Sequence, residues 1–412
     1  MDLRTITIGI PINIESDTLL HLESKLKNFL EETTIALATE NINIRTFRIN
    51  LTPVTNKDSN LNSQKIIGKI ETFSNFAEKL NIRWINIPYD LTENPKELSE
   101  LAFTILKRYP KTFSNLIVAK DKNISYNAIP IASKFIKDVS KLDNSGYNNF
   151  RVGVSCNIKA NTPFFPYTYS SEELGISTGL ELPKEFIKII NSSENRDLIS
   201  LREEIITKIS PEVNKINNIL SVLAKKHFIK YNGIDFSLAP YPEKGSSVAE
   251  LIELLGLEQL GSNGTLFLTS YLTDILKEIQ KRNNTPTTGF NGVMFSLLED
   301  EQLGLRNNNK LFSIDSLISY SAVCGCGLDM IPLPGDIFEE ELNSIILDVA
   351  ALSTTLDKPL GVRVLPIPTK QENEFTTFNM DFLFNTRVKK PKNLSLSNRL
   401  LTNTKFSYLK WQ

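Results

Sequence analysis

The sequence predicts an α/β protein with largely parallel strands, and three observations carry that reading. From residue 4 to 158, short β-branched runs alternate with stretches of helical apolar spacing. No internal repeat, low-complexity run or linker divides the chain, so it reads as one large domain, 1–412, ending in a basic, loosely patterned tail from about 385. Its 41% hydrophobic and 23% charged content supplies apolar material for a large core.

The elements follow in order. Residues 4–12 (Arg-Thr-Ile-Thr-Ile-Gly-Ile-Pro-Ile) make the first strand, and apolar spacing from Leu19 to Ala38 makes the first helix. Strands at 44–51, 82–87, 114–119 and 150–158 then alternate with helices at 62–80, 95–109 and 128–141. Residues 161–182 mix prolines, aromatics and serines, the composition of a long loop over a site. A long charged helix is expected over 196–227, and a strand from Gly233 to Leu238 that Pro240 and Pro242 stop. Gly245-Ser246-Ser247 opens a helix, with Ser247 and Glu250 in capping-box spacing, and Gly261-Ser262-Asn263-Gly264-Thr265 opens another. A helix near 266–281, a strand at 291–297, an exposed acidic and asparagine-rich loop at 299–310, and a helix near 314–322 follow. A helix at 337–356 and a strand at 360–367 complete the pattern.

Composition excludes several classes. A formal net charge of −1 gives no electrostatic case for nucleic acid or an anionic membrane. No apolar run reaches membrane-spanning length, and the strand-like N-terminus lacks a signal-peptide layout. Three cysteines, with Cys324 and Cys326 too close for an ordinary disulfide, read as a reducing cytoplasm.

Candidate chemistry gathers around 233–265. Asp235 and Ser237 lie on one face at the end of a strand, where sites usually form. Asp235 reads as a general base or metal-facing carboxylate, or as a helix cap. The two glycine-rich helix starts suit an anion, with ordinary capping as the alternative. Neither a Walker sequence nor a G-x-G-x-x-G after a strand supports a nucleotide. Cys324 and Cys326 offer thiols that, with only Cys156, His21 and His227 elsewhere, fall short of a zinc set; they read as reactive groups or as small buried hydrophobes. Ser155, Cys156 and Asn157 end a strand, where Asn157 either orients a substrate carbonyl or satisfies a loop backbone. Arg363, among apolar neighbours, needs a carboxylate or a ligand: either Asp235 or Asp329 as an ion pair, or an anionic substrate.

These residues also carry a resemblance. Arg4-Thr5-Ile6-Thr7-Ile8-Gly9-Ile10, Ser155-x-Asn157-Ile158, Asp235-Phe236-Ser237-Leu238-Ala239-Pro240-x-Pro242, Gly245-x-Ser247-Val248-Ala249 and Gly261-Ser262-Asn263-Gly264-Thr265 occur in one order along the chain. Glu299-Asp300-Glu301, Cys324-x-x-Gly327-Leu328-Asp329-Met330-Ile331 and Val362-Arg363 with Pro366 extend it. In these the chain resembles the domain of unknown function 711 family, densely after residue 233 and thinly between 55 and 150. The resemblance implies a ten-stranded α/β barrel of the pyruvate formate-lyase class, with a central loop inside the barrel, and a homodimer. It implies no glycyl radical, because nothing after residue 360 matches the glycine motif that such chemistry needs. Asn263 departs from the family pattern, which carries histidine there, and Cys156 departs from a serine-rich one.

The expectation is thus a cytoplasmic enzyme acting on a small anionic metabolite by lyase- or hydrolase-type acid/base chemistry. Asp235, Cys324, Cys326 and Asp329 are its catalytic candidates. Arg4, Ser155, Asn157, Ser237, Ser262, Asn263 and Arg363 would position the substrate. No cofactor is specified; no nucleotide and no fixed metal site are expected, and a divalent metal is left open. The alternative is a non-catalytic small-ligand-binding or regulatory protein on the same barrel.

Overall fold

Apolar spacing builds the first half of the chain. The computed structural model describes residues 1–55, 63–195, 197–392 and 408–410. It contains β1 (Asp2–Ile10), α1 (Ser16–Thr39), β2 (Phe47–Leu51), α2 (Ser63–Lys79), β3 (Trp84–Asp90) and α3 (Pro95–Arg108). β4 (Thr112–Lys120), a short β5 (Asn123–Ser125), α4 (Ala128–Ser140) and β6 (Val152–Cys156) follow. Along α2, Ile66, Ile70, Phe73, Phe76 and Ala77 share the buried face. Pro95 sits in the first turn of α3, where its missing N–H costs nothing.

The second half contains β7 (Gly175–Glu181), α5 (Pro183–Ser192), α6 (Leu198–Lys226), β8 (Lys230–Asp235), α7 (Val248–Leu254) and α8 (Thr265–Asn283). α9 (Glu301–Asn308), α10 (Ile314–Tyr320), β9 (Gly327–Pro334), α11 (Glu339–Thr355), β10 (Leu360–Ile367) and β11 (Tyr408–Lys410) complete it.

One mixed sheet joins the strands in the order β8-β7-β1-β2-β3-β4-β6-β10-β9, with β5 paired to β4 and β11 to β5. β1, β2, β3, β4 and β6 run parallel. β7 meets β1 antiparallel, β10 meets β6 antiparallel, and the pairs β7/β8 and β10/β9 are each parallel. In strand order, five parallel strands are therefore flanked on each side by an oppositely directed pair. Isolated parallel bridges tie Thr287 to Ile234, Val293 to Leu238 and Ser296 to Asp329, so the 287–296 segment touches both ends of the strand order.

One face of the strands packs on the helices, joining Ile6, Ile8, Ile49, Ile85, Val154, Val362 and Val364 to residues such as Phe29, Phe73 and Ile346 in the main core. The other face is polar. It holds Thr5, Thr7, Asn50, Asn86 and Asn115, all buried, and it is covered by the chain between β6 and β7. Asn86 and Asn115 both donate to the Thr168 carbonyl (2.9 and 3.0 Å), and Asn50 donates to Thr168 Oγ1 at 2.8 Å. Thr7 Oγ1 donates to the Pro163 carbonyl at 2.8 Å. Glycines on neighbouring strands leave the space: a Cβ at Gly153 or Gly361 would strike the Tyr167 ring, and one at Gly179 would strike Phe164.

Several expectations are corrected here. Residues 162–168 are not an exposed loop but are buried against the sheet. The strand asparagines satisfy backbone that an apolar interior could not. Residues 175–181 form β7, and a separate helix, α5, precedes the long one. Residues 299–310 are not an exposed loop: Asp300 caps α9 by accepting from Leu303 N at 2.9 Å. Residues 291–297 make isolated bridges rather than a continuous strand ladder. Of the tail from about 385, most lies outside the described residues. No described helix is long and apolar enough to cross a membrane.

Candidate functional site

A cavity of about 60 Å³ opens between the polar face of the sheet and the buried loop. Its charged walls are Arg4, Arg48, Arg363, Glu299 and Asp329, and most of the remainder is aromatic, including Trp84, Phe113, Phe164, Phe165, Tyr167 and Phe290.

Two irregularities in the sheet place the charges. Between β1 and β7 the register passes from Leu3↔Leu180 to Thr5↔Gly179, so Arg4 is the extra residue of a bulge. Strict alternation would turn it toward the helices with Ile6; the bulge lets it join Thr5 and Thr7. Between β9 and β10 the register passes from Leu328↔Val362 to Ile331↔Val364. Asp329 and Met330 thus oppose Arg363 alone, with Met330 at φ 54° absorbing the extra residue.

Arg363 is fully engaged. Its Nε and Nη2 grip Asp329 at 2.7 and 2.8 Å, Nη2 also reaches Glu299 Oε2 at 3.1 Å, and Nη1 donates to the Phe150 carbonyl at 3.4 Å. Burial works against the Arg363 charge, yet Asp329 and Glu299 outweigh it and hold its pKa above the ordinary value. Arg4 pairs with Glu181 at 2.8 Å and lies 3.5 Å from Glu299. Arg45 also pairs with Glu181, at 2.7 Å. Burial tends to raise the Glu181 pKa, but Arg4 and Arg45 together hold it below the ordinary value. Arg45, Glu181, Arg4, Glu299, Arg363 and Asp329 thus form a chain of alternating charge, with the half-exposed Glu243 3.8 Å from Arg45 at its rim.

Arg48 stands outside this chain. Its Nε donates to Thr46 Oγ1 at 3.0 Å and its guanidinium lies 5.2 Å from the Phe165 ring centre. Among the described residues no carboxylate comes within 4.0 Å of it, and neither Nη has a hydrogen-bond acceptor. Burial lowers its pKa to about 9, helped by the Arg4 and Arg363 charges, so it remains cationic at neutral pH.

Tyr167 Oη donates to Asp329 Oδ1 at 3.0 Å or to the Leu328 carbonyl at 3.1 Å. Its pKa is raised well above the ordinary value, by burial first and by the Asp329 charge second. Cys326 lines the cavity as a protonated thiol, raised by burial and then by Cys324 and Asp329. Glu299 Oε2 accepts from Ser296 Oγ at 2.6 Å and from Arg363, which leaves Oε1 the least engaged carboxylate oxygen in the cavity.

Of the residues read from the sequence, Arg4, Cys326, Asp329 and Arg363 meet at this cavity. The others lie outside its lining. Asp235 accepts from Ser237 N (2.9 Å), Ser237 Oγ (2.6 Å), Phe290 N (2.7 Å) and Asn291 N (3.1 Å), tying β8 to the 290–292 turn. Burial raises the Asp235 pKa to about 6 against those four bonds. Asn157 donates to Ser353 and Thr354 and accepts from Lys122 N at 3.0 Å, so it satisfies a loop backbone. Ser155 Oγ is buried without a hydrogen-bond partner among the described residues. Cys324 packs in the main core, and Ser262 and Asn263 are exposed. The helix start at 247–249 already holds an anion: Asp300 accepts from Val248 N at 2.8 Å, Ala249 N at 3.3 Å and Ser247 Oγ. Among the described residues, no group of three or more His, Cys, Asp or Glu is placed to hold a metal ion.

Arg48, Glu181, Glu299 and Tyr167 were not singled out from the sequence as site residues. Arg48, in Phe-Arg-Ile-Asn-Leu, shows the same signal as Arg363, an arginine within a strand of apolar neighbours. Tyr167 carries no such signal, because only the path of the loop brings it to Asp329.

Fold and site together define an α/β protein with an arginine-lined cavity beside a buried loop. The chain belongs to the family described as Uncharacterised ACR (DUF711), whose profile matches residues 1–382. A UPF0210 protein of Thermoanaerobacter sp. (strain X514) is 27% identical over 417 residues, covering 96% of this chain and 91% of its own. UPF0210 proteins of Clostridium perfringens (strain 13 / Type A) and Neisseria gonorrhoeae are each 25% identical, covering 92% of this chain and 88% of their own.

Proposed function

We propose that the protein is an enzyme that binds a small anionic metabolite in this cavity and moves a proton on it. The observation that carries the reading is Arg48, a cationic guanidinium with both Nη groups unengaged among the described residues, in a cavity whose other charges are paired. Glu299 Oε1 would accept the proton, while the Tyr167 hydroxyl, kept protonated, stays committed to Asp329. Arg4 and Arg363 would hold Glu299 in place, and Asp329 would orient both Arg363 and Tyr167. No step uses a radical, a nucleotide or a metal.

We read the sheet as a ten-stranded barrel of the pyruvate formate-lyase type, with 287–296 as the tenth strand and 157–174 as the loop inside. Two pairs of strands at the ends of the order, both directed opposite to the five between them, and the bridges from 287–296 to residues of both end regions, support that closure. A cytoplasmic homodimer completes the reading.

A second reading, a binding protein without turnover, is favoured by the protonated Tyr167 and Cys326 and by the ion pairs that Asp329 and Glu299 make with Arg363. One experiment separates the two. Native mass spectrometry on protein from its own cells identifies the retained molecule, which is then incubated with the protein in D2O and followed by NMR. Deuterium entering the ligand in the native protein but not in Glu299→Gln supports proton transfer. Ligand returned undeuterated and unchanged refutes it and leaves the binding protein.

A further inference from the structure

We infer that the ligand of this cavity is a short-chain monocarboxylate, taken end-on by the terminal nitrogens of Arg48; the inference rests on the anion-binding reading above and narrows it to one chemical class. The guanidinium is held before any ligand arrives. Thr46 Oγ1 donates to the Arg4 carbonyl at 3.1 Å, so its lone pairs face Arg48 Nε, which donates to it at 3.0 Å. The Phe165 ring lies 5.2 Å away. With Nε anchored and the Phe165 ring beside the guanidinium, Nη1 and Nη2 form an open fork that matches the two oxygens of a carboxylate.

The cavity is small, about 60 Å³, and favours a short acid. The walls set its body and charge. Beside the charged and polar groups, the lining includes Phe113, Phe164, Ala239, Pro240, Phe290 and Met294, surfaces that favour a short apolar tail. A second negative charge would meet that wall or the Glu299 and Asp329 carboxylates, because Arg4 and Arg363 are already paired. A phosphate dianion meets the same obstacle. Thr46 acts here as a positioning residue, through Arg48.

Isothermal titration calorimetry with millimolar butanoate, hexanoate, malonate and inorganic phosphate tests the inference, with the urea midpoint of each variant checking the fold. Butanoate is expected to bind at least ten-fold more tightly than the other three. Arg48→Lys, which keeps the charge but loses the fork, is expected to weaken butanoate at least ten-fold. Thr46→Val should weaken it several-fold, and Thr46→Ser should restore it. Malonate or phosphate binding as tightly as butanoate, and through Arg48, overturns the monocarboxylate while leaving the anion cavity standing; hexanoate doing so overturns the size limit. Butanoate binding that Arg48→Lys does not weaken, or no binding by any of the four, overturns the role of Arg48 itself and the functional reading with it.

Discussion

Arg48 and Arg363 line one cavity, yet their removal should shift stability in opposite directions. Arg363→Met leaves Asp329 and Glu299 side by side without the guanidinium that grips them at 2.7–3.1 Å. Removing one partner of a buried ion pair costs about 3–5 kcal/mol. Arg48→Met removes a charge with no carboxylate partner among the described residues and relieves its repulsion with Arg4 and Arg363. A pKa of about 9, a few pH units below an ordinary arginine, corresponds to at most about 5 kcal/mol held against the charged form. Part of the Arg48 side chain reaches solvent, which screens that cost, so the expected gain is roughly 1–2 kcal/mol. Urea unfolding of the ligand-free protein, followed by circular dichroism, gives the midpoint for each variant. Arg48→Met should move it up and Arg363→Met down, while both lose ligand. If Arg48→Met destabilises as much as Arg363→Met, Arg48 is not a surplus charge and the argument for an anion falls.

Other outcomes follow from the same contacts. Asp300→Ala removes the cap of α9 together with the acceptor for Val248 N and Ala249 N, and should lower stability by about 2–4 kcal/mol, read as a fall in the urea midpoint. Asp235 has a folded pKa of about 6, above its unfolded value, so between roughly pH 4 and 6 the unfolded chain loses its proton first. Its contribution is therefore largest below pH 4 and falls as pH rises through 6, by about 3 kcal/mol in all. The stability gap between the native protein and Asp235→Asn should accordingly narrow from pH 4 to pH 7, and a gap that widens over that range contradicts the burial argument. Gly361→Ala pushes a Cβ into the Tyr167 ring. It should cost about 1–3 kcal/mol and weaken ligand binding by moving the phenol from Asp329, a loss that calorimetry measures.

Much of the fold was legible because it is written in local periodicity. The helix expected at 95–109 is Pro95–Arg108, and the strand expected at 360–367 is Leu360–Ile367. The motifs that carry the family resemblance were legible for a related reason, since they are short runs with fixed spacing. The pairing of Arg363 with a carboxylate was also readable, as a rule about buried guanidinium groups, though the choice of Asp329 over Asp235 was not. Asp300 shows the limit of motif reading: a helix start that looks open to an anion is filled from 52 residues away by the chain's own carboxylate.

The sequence by itself determined the alternation of elements, the apolar faces that helices and strands bury, and the need for charge partners within the strands. Only the tertiary structure decided which charges meet. Arg4 and Asp329 reach the cavity through bulges, which break the period of two on which any reading of strand faces depends. Tyr167 arrives on a loop whose course is set by asparagines on three other strands. Arg48 is distinctive for terminal nitrogens that meet no acceptor among the described residues, a property of the assembled fold that no run of residues contains.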